Sequence, residues 1–310
     1  MDRVVVTGGA GFIGSHLVEH LLGAGAEVLV IDNFRLGRRE HLQPARARAD
    51  GSLRIVEGDI GRGEDLRSIE KFRPDTVFHM AALHYIPYCA AHPAEALEVN
   101  VLGLTSVLRA LRTAPLRTFV FPSSGAVYGF ADEPWLETAP SRPDDVYGLS
   151  KWIGERIVAE FQEDRPEIRV VAARLFNTYG PRETNPHVLP NIIKAIDERE
   201  PIELGNLWPK RDLIFVTDTA AALIATAEGG PGFEVFNVGT GVGTTIEEVV
   251  AAIGAILGSH LEVRQVRERM RDDDGHLISD PGKLMKATGW QPRYDLRAGL
   301  GRLLESEHLR

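Results

Sequence analysis

The feature that most constrains this chain is a glycine-rich turn, Thr7-Gly8-Gly9-Ala10-Gly11-Phe12-Ile13-Gly14. It lies between an apolar β-branched run, Val4–Val6, and a helical pattern that begins at Ser15. Gly9, Gly11 and Gly14 fit G-x-G-x-x-G, while Gly8, Gly11 and Gly14 fit G-x-x-G-x-x-G. Glycine here permits a tight turn, close approach of backbone to a pyrophosphate, and close packing of helix on strand. The helix N-terminus then offers free N–H groups and a positive dipole end to an anion. Asp32 ends a second apolar run, 18 residues after Gly14. Its carboxylate can accept both hydrogens of an adenosine ribose diol and repels a 2′-phosphate, so NAD is the expected cofactor. Arg35, Arg38 and Arg39 stand close enough in sequence to leave NADP open.

The rest of the first half repeats this strand–helix rhythm. Val4–Val6, Glu27–Ile31, Leu53–Glu57, Thr76–His79, Thr118–Pro122 and Arg169–Ala173 are apolar on successive residues, as strands buried on both faces should be. Between them lie helical patterns such as Ser15–Leu22, Glu95–Leu111 and Tyr147–Glu163. The alternation predicts an α/β fold with a doubly wound parallel sheet, the Rossmann arrangement, over residues 1–175. After Leu175 the rhythm breaks into loops rich in Pro, Gly and Asn. Residues 176–310 are therefore expected to form a smaller C-terminal α/β substrate lobe, with some segments returning to the sheet.

Composition excludes several alternatives. The formal charge is 35 − 44 = −9, which argues against a nucleic-acid partner. Cys89 is the single cysteine, so no internal disulfide is expected. No run of 18 uncharged apolar residues exists to span a membrane, and the first residues run straight into a strand without room for a signal peptide. A cytoplasmic, soluble chain is expected, and no metal site is read from the sequence.

Tyr147 and Lys151 open a helical pattern and lie one turn apart on one face. A phenol with an ordinary pKa near 10 is a poor base at neutral pH. At about 5 Å and an effective dielectric of about 20, one positive charge favours phenolate by roughly 3 kcal/mol, or about two pK units. Tyr147 could then take a proton from a hydroxyl as hydride leaves its carbon. Phe121-Pro122-Ser123-Ser124-Gly125-Ala126-Val127-Tyr128-Gly129 follows an apolar strand and places small hydroxyls at the strand's carboxyl end, where doubly wound sheets do their chemistry.

These segments together resemble the extended short-chain dehydrogenase/reductases of the NAD-dependent epimerase/dehydratase family, close to the UDP-glucose 4-epimerase branch. The resemblance also runs through Asp32-Asn33, Gly58-Asp59-Ile60, His79-Met80-Ala81-Ala82, Glu98-Val99-Asn100-Val101, Arg174-Leu175-Phe176-Asn177, Tyr179-Gly180-Pro181-Arg182, Arg211–Asp218 and Gly289-Trp290-Gln291-Pro292. It implies a catalytic set of Ser124, Tyr147 and Lys151, with Lys151 also holding the nicotinamide ribose. It implies that Gly8, Gly11, Phe12, Ile13, Gly14, Asp32, Asn33, Asp59, Ile60, Ala81, Ala82, Asn100 and Phe176 line NAD. It implies further that Asn177, His187, Val188 and Arg211 contact a nucleotide-sugar, UDP-linked above all. A second arginine, Arg269 or Arg271, is expected near Asp280, and Arg271 is carried as the substrate contact. Members of the family commonly dimerise through the helix of Tyr147 and the helix before it, so a homodimer is expected.

Departures from relatives narrow the implied reaction. Gly125-Ala126 stand where the family's 4,6-dehydratases carry an Asp-Glu pair, and Ala126 stands where its decarboxylases carry Glu and its GDP-fucose synthases carry Cys. The resemblance thus implies oxidation and re-reduction at sugar carbon 4, with a ketoreductase or dehydratase of the same family as the alternative. His187 is read as a helix-start or nucleotide-contact residue. Leu83-His84-Tyr85-Ile86-Pro87-Tyr88-Cys89 is an unusual loop for the family, and His84 is a candidate sugar contact. Cys89 has no basic partner nearby in sequence and is not read as a nucleophile.

Overall fold

A computed structural model of the chain describes residues 1–270 and 275–309. Seven strands form one parallel sheet: β1 (Arg3–Thr7), β2 (Glu27–Asp32), β3 (Leu53–Glu57), β4 (Thr76–His79), β5 (Thr118–Ser124), β6 (Arg169–Leu175) and β10 (Gly232–Val238). Their spatial order is β10-β6-β5-β4-β1-β2-β3. The chain starts mid-sheet, winds out to β3, then crosses back to β4. That reversal opens a crevice beyond the carboxyl ends of β1 and β4.

The uninterrupted apolar runs follow from burial on two faces. Val4, Val6, Val28 and Val30 pack against the helix Phe12–Gly23 and, through Phe78 and Val171, toward the helix Val216–Thr226. Val5, Leu29, Ile31 and Val77 point to the opposite face, against Leu104, Val107 and Val158 of the helices Gly103–Ala110 and Val146–Asp164. Alternation of side chains along a strand puts neighbours in different cores, so neither face tolerates a polar residue.

The chain beyond Leu175 divides between two places. β7 (Asn177–Tyr179), β9 (Arg211–Phe215) and β11 (Gly243–Thr244) form a three-stranded sheet, and β8 (Ile202–Leu204) pairs with β12 (Val263–Gln265). With the helices Val188–Glu198, Ile246–Leu257 and Leu296–Ser306 they enclose a separate core around Ile192, Phe215, Val249 and Leu300. β10 instead pairs with β6, and Val216–Thr226 packs on Phe12–Gly23. Residues Gly232–Val238 and Val216–Thr226 thus complete the first-half sheet.

The helix expected over Glu95–Leu111 is divided. A helix at Pro93–Leu97 and another at Gly103–Ala110 flank a π-helical turn, Glu98–Leu102. The wider turn carries Asn100, which is buried. Such turns recur at functional sites because they re-aim a side chain without ending the helix. No helix among the described residues is long and apolar enough to cross a membrane.

Candidate active site

A cavity of about 320 Å³ runs along the carboxyl ends of the central strands. The glycine turn forms one end. Gly8 has φ +68°, and a Cβ on it would lie 2.6 Å from the Ala81 nitrogen; one on Gly14 would lie 2.3 Å from the Gly8 oxygen. Backbone therefore forms the cavity wall where side chains would fill it, as a dinucleotide phosphate requires. The N-cap of the helix Phe12–Gly23 is Gly11, which supplies no side-chain acceptor to the first N–H groups.

Asp32 ends β2 and is 7% exposed. Its Oδ2 accepts from the Ala10 nitrogen at 2.9 Å and its Oδ1 from the Phe34 nitrogen at 2.8 Å. Burial pushes the carboxyl up, while these two donors oppose the shift. The carboxyl thus holds the glycine turn in shape and retains lone pairs toward the cavity. Arg35 is engaged by Glu95 and Tyr88, and Arg39 by Glu57 and the Phe34 ring. Two of the three nearby arginines are therefore committed elsewhere.

At the other end stand the groups of the expected chemistry. Asp145 caps the helix Val146–Asp164 by accepting from the Gly148 nitrogen at 2.8 Å, which places Tyr147 in its first turn. Ser124, the last residue of β5, accepts from the Ala126 nitrogen at 3.1 Å and lines the same cavity as Tyr147. Strand end and helix start, 23 residues apart in sequence, thus share one cavity.

Lys151 differs from expectation. Its Nζ donates to the carbonyl of Pro122 at 2.8 Å and lies 5.9 Å from the Tyr147 ring centroid. Burial pushes Lys151 down to about 8 and pushes the Tyr147 phenol above its ordinary value. The direct lowering of the phenol by Lys151 is not what this geometry produces. The reason is that the phenol leaves water, and burial, the largest influence on it, favours its neutral form.

The expected cofactor residues Gly8, Gly11, Phe12, Ile13, Gly14, Asp32, Asn33, Asp59, Ile60, Ala81, Ala82, Tyr147, Lys151 and Phe176 all line this cavity, as do His84, Ser124, Asn177 and His187. Asn100 sits one layer behind. Its amide donates to the Leu83 oxygen and to Ser150 Oγ, each at 2.9 Å, and accepts from the Leu83 nitrogen at 2.8 Å, fixing the loop after β4. Val188 lines an adjoining cavity of about 320 Å³, whose walls share Asn177, Thr178, Glu183 and His187 with the first. Arg211 lies outside both, donating to the carbonyls of Lys210 and Gly275 at 3.0 Å and covering the Phe130 ring at 4.9 Å. Arg269 pairs with Glu203 at 2.9 Å, and Arg271 lies outside the described residues. His79 is a core residue, bonded to Thr7 Oγ1 at 3.0 Å, and burial pushes it down to about 3. Buried Cys89 has its thiol pushed up, the opposite of a nucleophile.

Two groups escaped the sequence reading. Glu155 accepts from Ser123 Oγ at 2.6 Å and from Arg174 at 2.8 and 2.7 Å, with both ionic side chains nearly dry. Arg174 in turn covers the Tyr128 ring at 4.6 Å. An acid four residues after Lys151 was the available signal, since it shares the inward face. Glu183 is the second: its side chain is 7% exposed, and burial pushes it up to about 7. Nothing local in sequence marks it.

Comparison with known proteins agrees with this geometry. The chain is 31% identical to the UDP-glucose 4-epimerase of Mycolicibacterium smegmatis, over 98% of this chain and 97% of that one. It superposes on the UDP-glucose 4-epimerase of Thermus thermophilus, solved with NAD, with a TM-score of 0.88, 32% identity and 99% of both chains covered. It superposes equally on the UDP-N-acetylglucosamine 4-epimerase of Methanobrevibacter ruminantium, solved with UDP-N-acetylmuramic acid (TM-score 0.89, 31% identity, 98% and 97% covered). Residues 4–239, from the first strand through the glycine turn and the Ser124–Tyr147 pair to the end of β10, match one family along their whole length, and the chain belongs to it: the NAD dependent epimerase/dehydratase family.

Proposed function

We propose that this chain is a nucleotide-sugar 4-epimerase that works with tightly bound NAD on a UDP-sugar. The observation that carries the reading is that Ser124, Tyr147 and Lys151 line the same cavity as the glycine turn and Asp32. Gly8, Gly11, Gly14 and Asp32 would hold the dinucleotide, with Asn33, Asp59, Ile60, Ala81 and Ala82 along its length. When bound, NAD supplies an acceptor for hydride from the sugar carbon and returns it to the same carbon.

Ser124 holds the oxygen on sugar carbon 4, and Tyr147 removes its proton as the carbonyl forms. The raised phenol pKa keeps Tyr147 protonated, the form that donates in the return step. It would act as a base once a bound nicotinamide cation faced it, since a nearby positive charge favours phenolate. Lys151 fixes the strand end through Pro122. Gly125 and Ala126, which follow Ser124, have no titratable atom, so elimination chemistry lacks its acid and base here. Asn177, His187, Val188, Arg211 and Arg271 are proposed contacts of the nucleotide-sugar, held by the lobe of residues 176–310. Incubation with UDP-, dTDP- and GDP-sugars without added nicotinamide, followed by NMR, tests this. A 4-epimerase converts one of them; a ketoreductase converts none.

A homodimer and a cytoplasmic location belong to the same proposal. Leu102, Leu149 and Trp152 are 59%, 37% and 38% exposed on the two helices expected to pair. A second copy would remove that apolar surface from water.

A further inference from the structure

Glu183 has no part in the proton relay, yet it lines the same cavity as Ser124, Tyr147 and Asn177. Its segment is tied down on three sides. The Pro181 carbonyl meets His16 Nε2 at 3.1 Å, Arg182 pairs with Glu19 at 2.5 Å, and Asn185 Nδ2 meets His84 Nε2 at 2.8 Å. Arg182 itself is held at φ +72°, a left-handed conformation unfavourable to an arginine. His84 is neutral near pH 7, pushed down to about 4 by burial, so one ring nitrogen carries no proton. That leaves its Nε2 free to accept from Asn185. The loop after β4 thereby fixes the position of Glu183, whose Oε1 accepts from the Asn185 nitrogen at 3.0 Å.

The cation nearest Glu183 is conditional: His187 Nδ1 lies 3.8 Å from Glu183 Oε2 and pairs with it only when protonated. Among the described residues lining the cavity, the lysines and arginines are Arg35 and Lys151. Arg35 is engaged by Glu95 at the adenosine end, and Lys151 is bound to Pro122. We infer that Glu183 determines sugar specificity: its carboxyl accepts hydrogen bonds from a hydroxyl- or amino-bearing hexose and rejects a hexuronate. The inference rests on the nucleotide-sugar reading above. Rejection by a nearby like charge is a common source of discrimination.

The rejection depends on pH, because Glu183, pushed up to about 7, can protonate to admit a second carboxylate. The titratable groups around it are His187 on its own segment, His84 from the loop after β4, and Tyr147 and Lys151 from the helix Val146–Asp164. Lys194, Asp197 and Glu307 face it across the adjoining cavity. Lys151, pushed down to about 8, also loses charge as pH rises, so a variant must separate the two.

The test uses NAD-saturated protein and calorimetric Kd values for UDP-glucose and UDP-glucuronate at pH 6.5 and 8.5. In the wild type the ratio of the two Kd values, glucuronate over glucose, should rise by about tenfold or more between these pH values. In Glu183→Gln the rise should be at least about threefold smaller, with UDP-glucose still bound. A flat ratio in the wild type overturns the assignment without reference to any variant, and so does an equal rise in both proteins. Failure to bind UDP-glucose at all would remove the proposed function and this assignment together. A normal UDP-glucose affinity with a flat ratio removes Glu183 alone.

Discussion

Lys151 directs its ammonium to the carbonyl of Pro122, 2.8 Å away, so the charge that shares a helix face with Tyr147 is anchored to the end of β5. The same strand presents Ser124 to the cavity that Tyr147 lines. Lys151 therefore acts on the site by locking the strand to the helix.

Removing the phenolic oxygen tests the base. Tyr147→Phe should lower turnover by at least about a hundredfold, the usual share of a general base. NAD affinity should stay within about threefold of wild type, since the glycine turn and Asp32 are untouched. Single-turnover kinetics and calorimetry read both quantities; wild-type turnover in this variant would remove the mechanism.

Lys151 predicts a pH signature in stability. Its folded pKa of about 8 lies below the 10.5 of an ordinary lysine, so between these values the unfolded chain binds more protons. Wild-type stability should then rise with pH across this window, by at most about 1.4 kcal/mol per unit from this group, and gain nothing from it below pH 8. Lys151→Met should lack that rise. Denaturation at pH 7, 9 and 10 compares the two proteins, and parallel curves would count against the shift.

Glu155 predicts a large loss of stability. Glu155→Gln leaves Arg174 charged and nearly dry without its partner, a change that costs about 3 kcal/mol or more. Urea unfolding should show it, and a loss under about 1 kcal/mol would mean that Arg174 finds compensation elsewhere.

Asp32 predicts the choice of dinucleotide. A 2′-phosphate would meet a buried carboxyl, with Arg35 and Arg39 already paired. NAD should bind at least about tenfold more tightly than NADP, since charge repulsion of even about 1.4 kcal/mol gives that factor. Equal affinities would point to Arg38.

The exposed helix faces predict assembly. Sedimentation should give about twice 34.1 kDa at micromolar concentration. Leu149→Glu combined with Trp152→Glu should return the mass to that of one chain, because two charges would enter an apolar contact. A wild-type mass near 34.1 kDa would place the interface elsewhere or nowhere.

Local spacing alone determined much of this protein. The glycine turn needs backbone where side chains would clash, and only Gly at positions such as 8 and 14 permits it, so the phosphate cradle is written in consecutive residues. The runs Val4–Val6 and Val28–Ile31 announce strands buried on both faces because their successive residues are apolar. Tyr147 and Lys151 share a face because of the helical period. What the tertiary structure decided lies in pairs with no period to reveal them. His84 meets Asn185 across 101 positions, Tyr128 meets Asn237 across 109, and Lys151 turns to Pro122 across 29. Asn100 moves behind the cavity because a π-helical turn interrupts its helix, and β10 returns to the sheet after a whole lobe has been inserted. Pairing of this kind is fixed by which surfaces the packed elements bring together and by how much charge they bury. A linear chain carries no local record of either, and so Glu183 became visible only once folding had taken its carboxyl out of water in the cavity that Ser124 and Tyr147 also line.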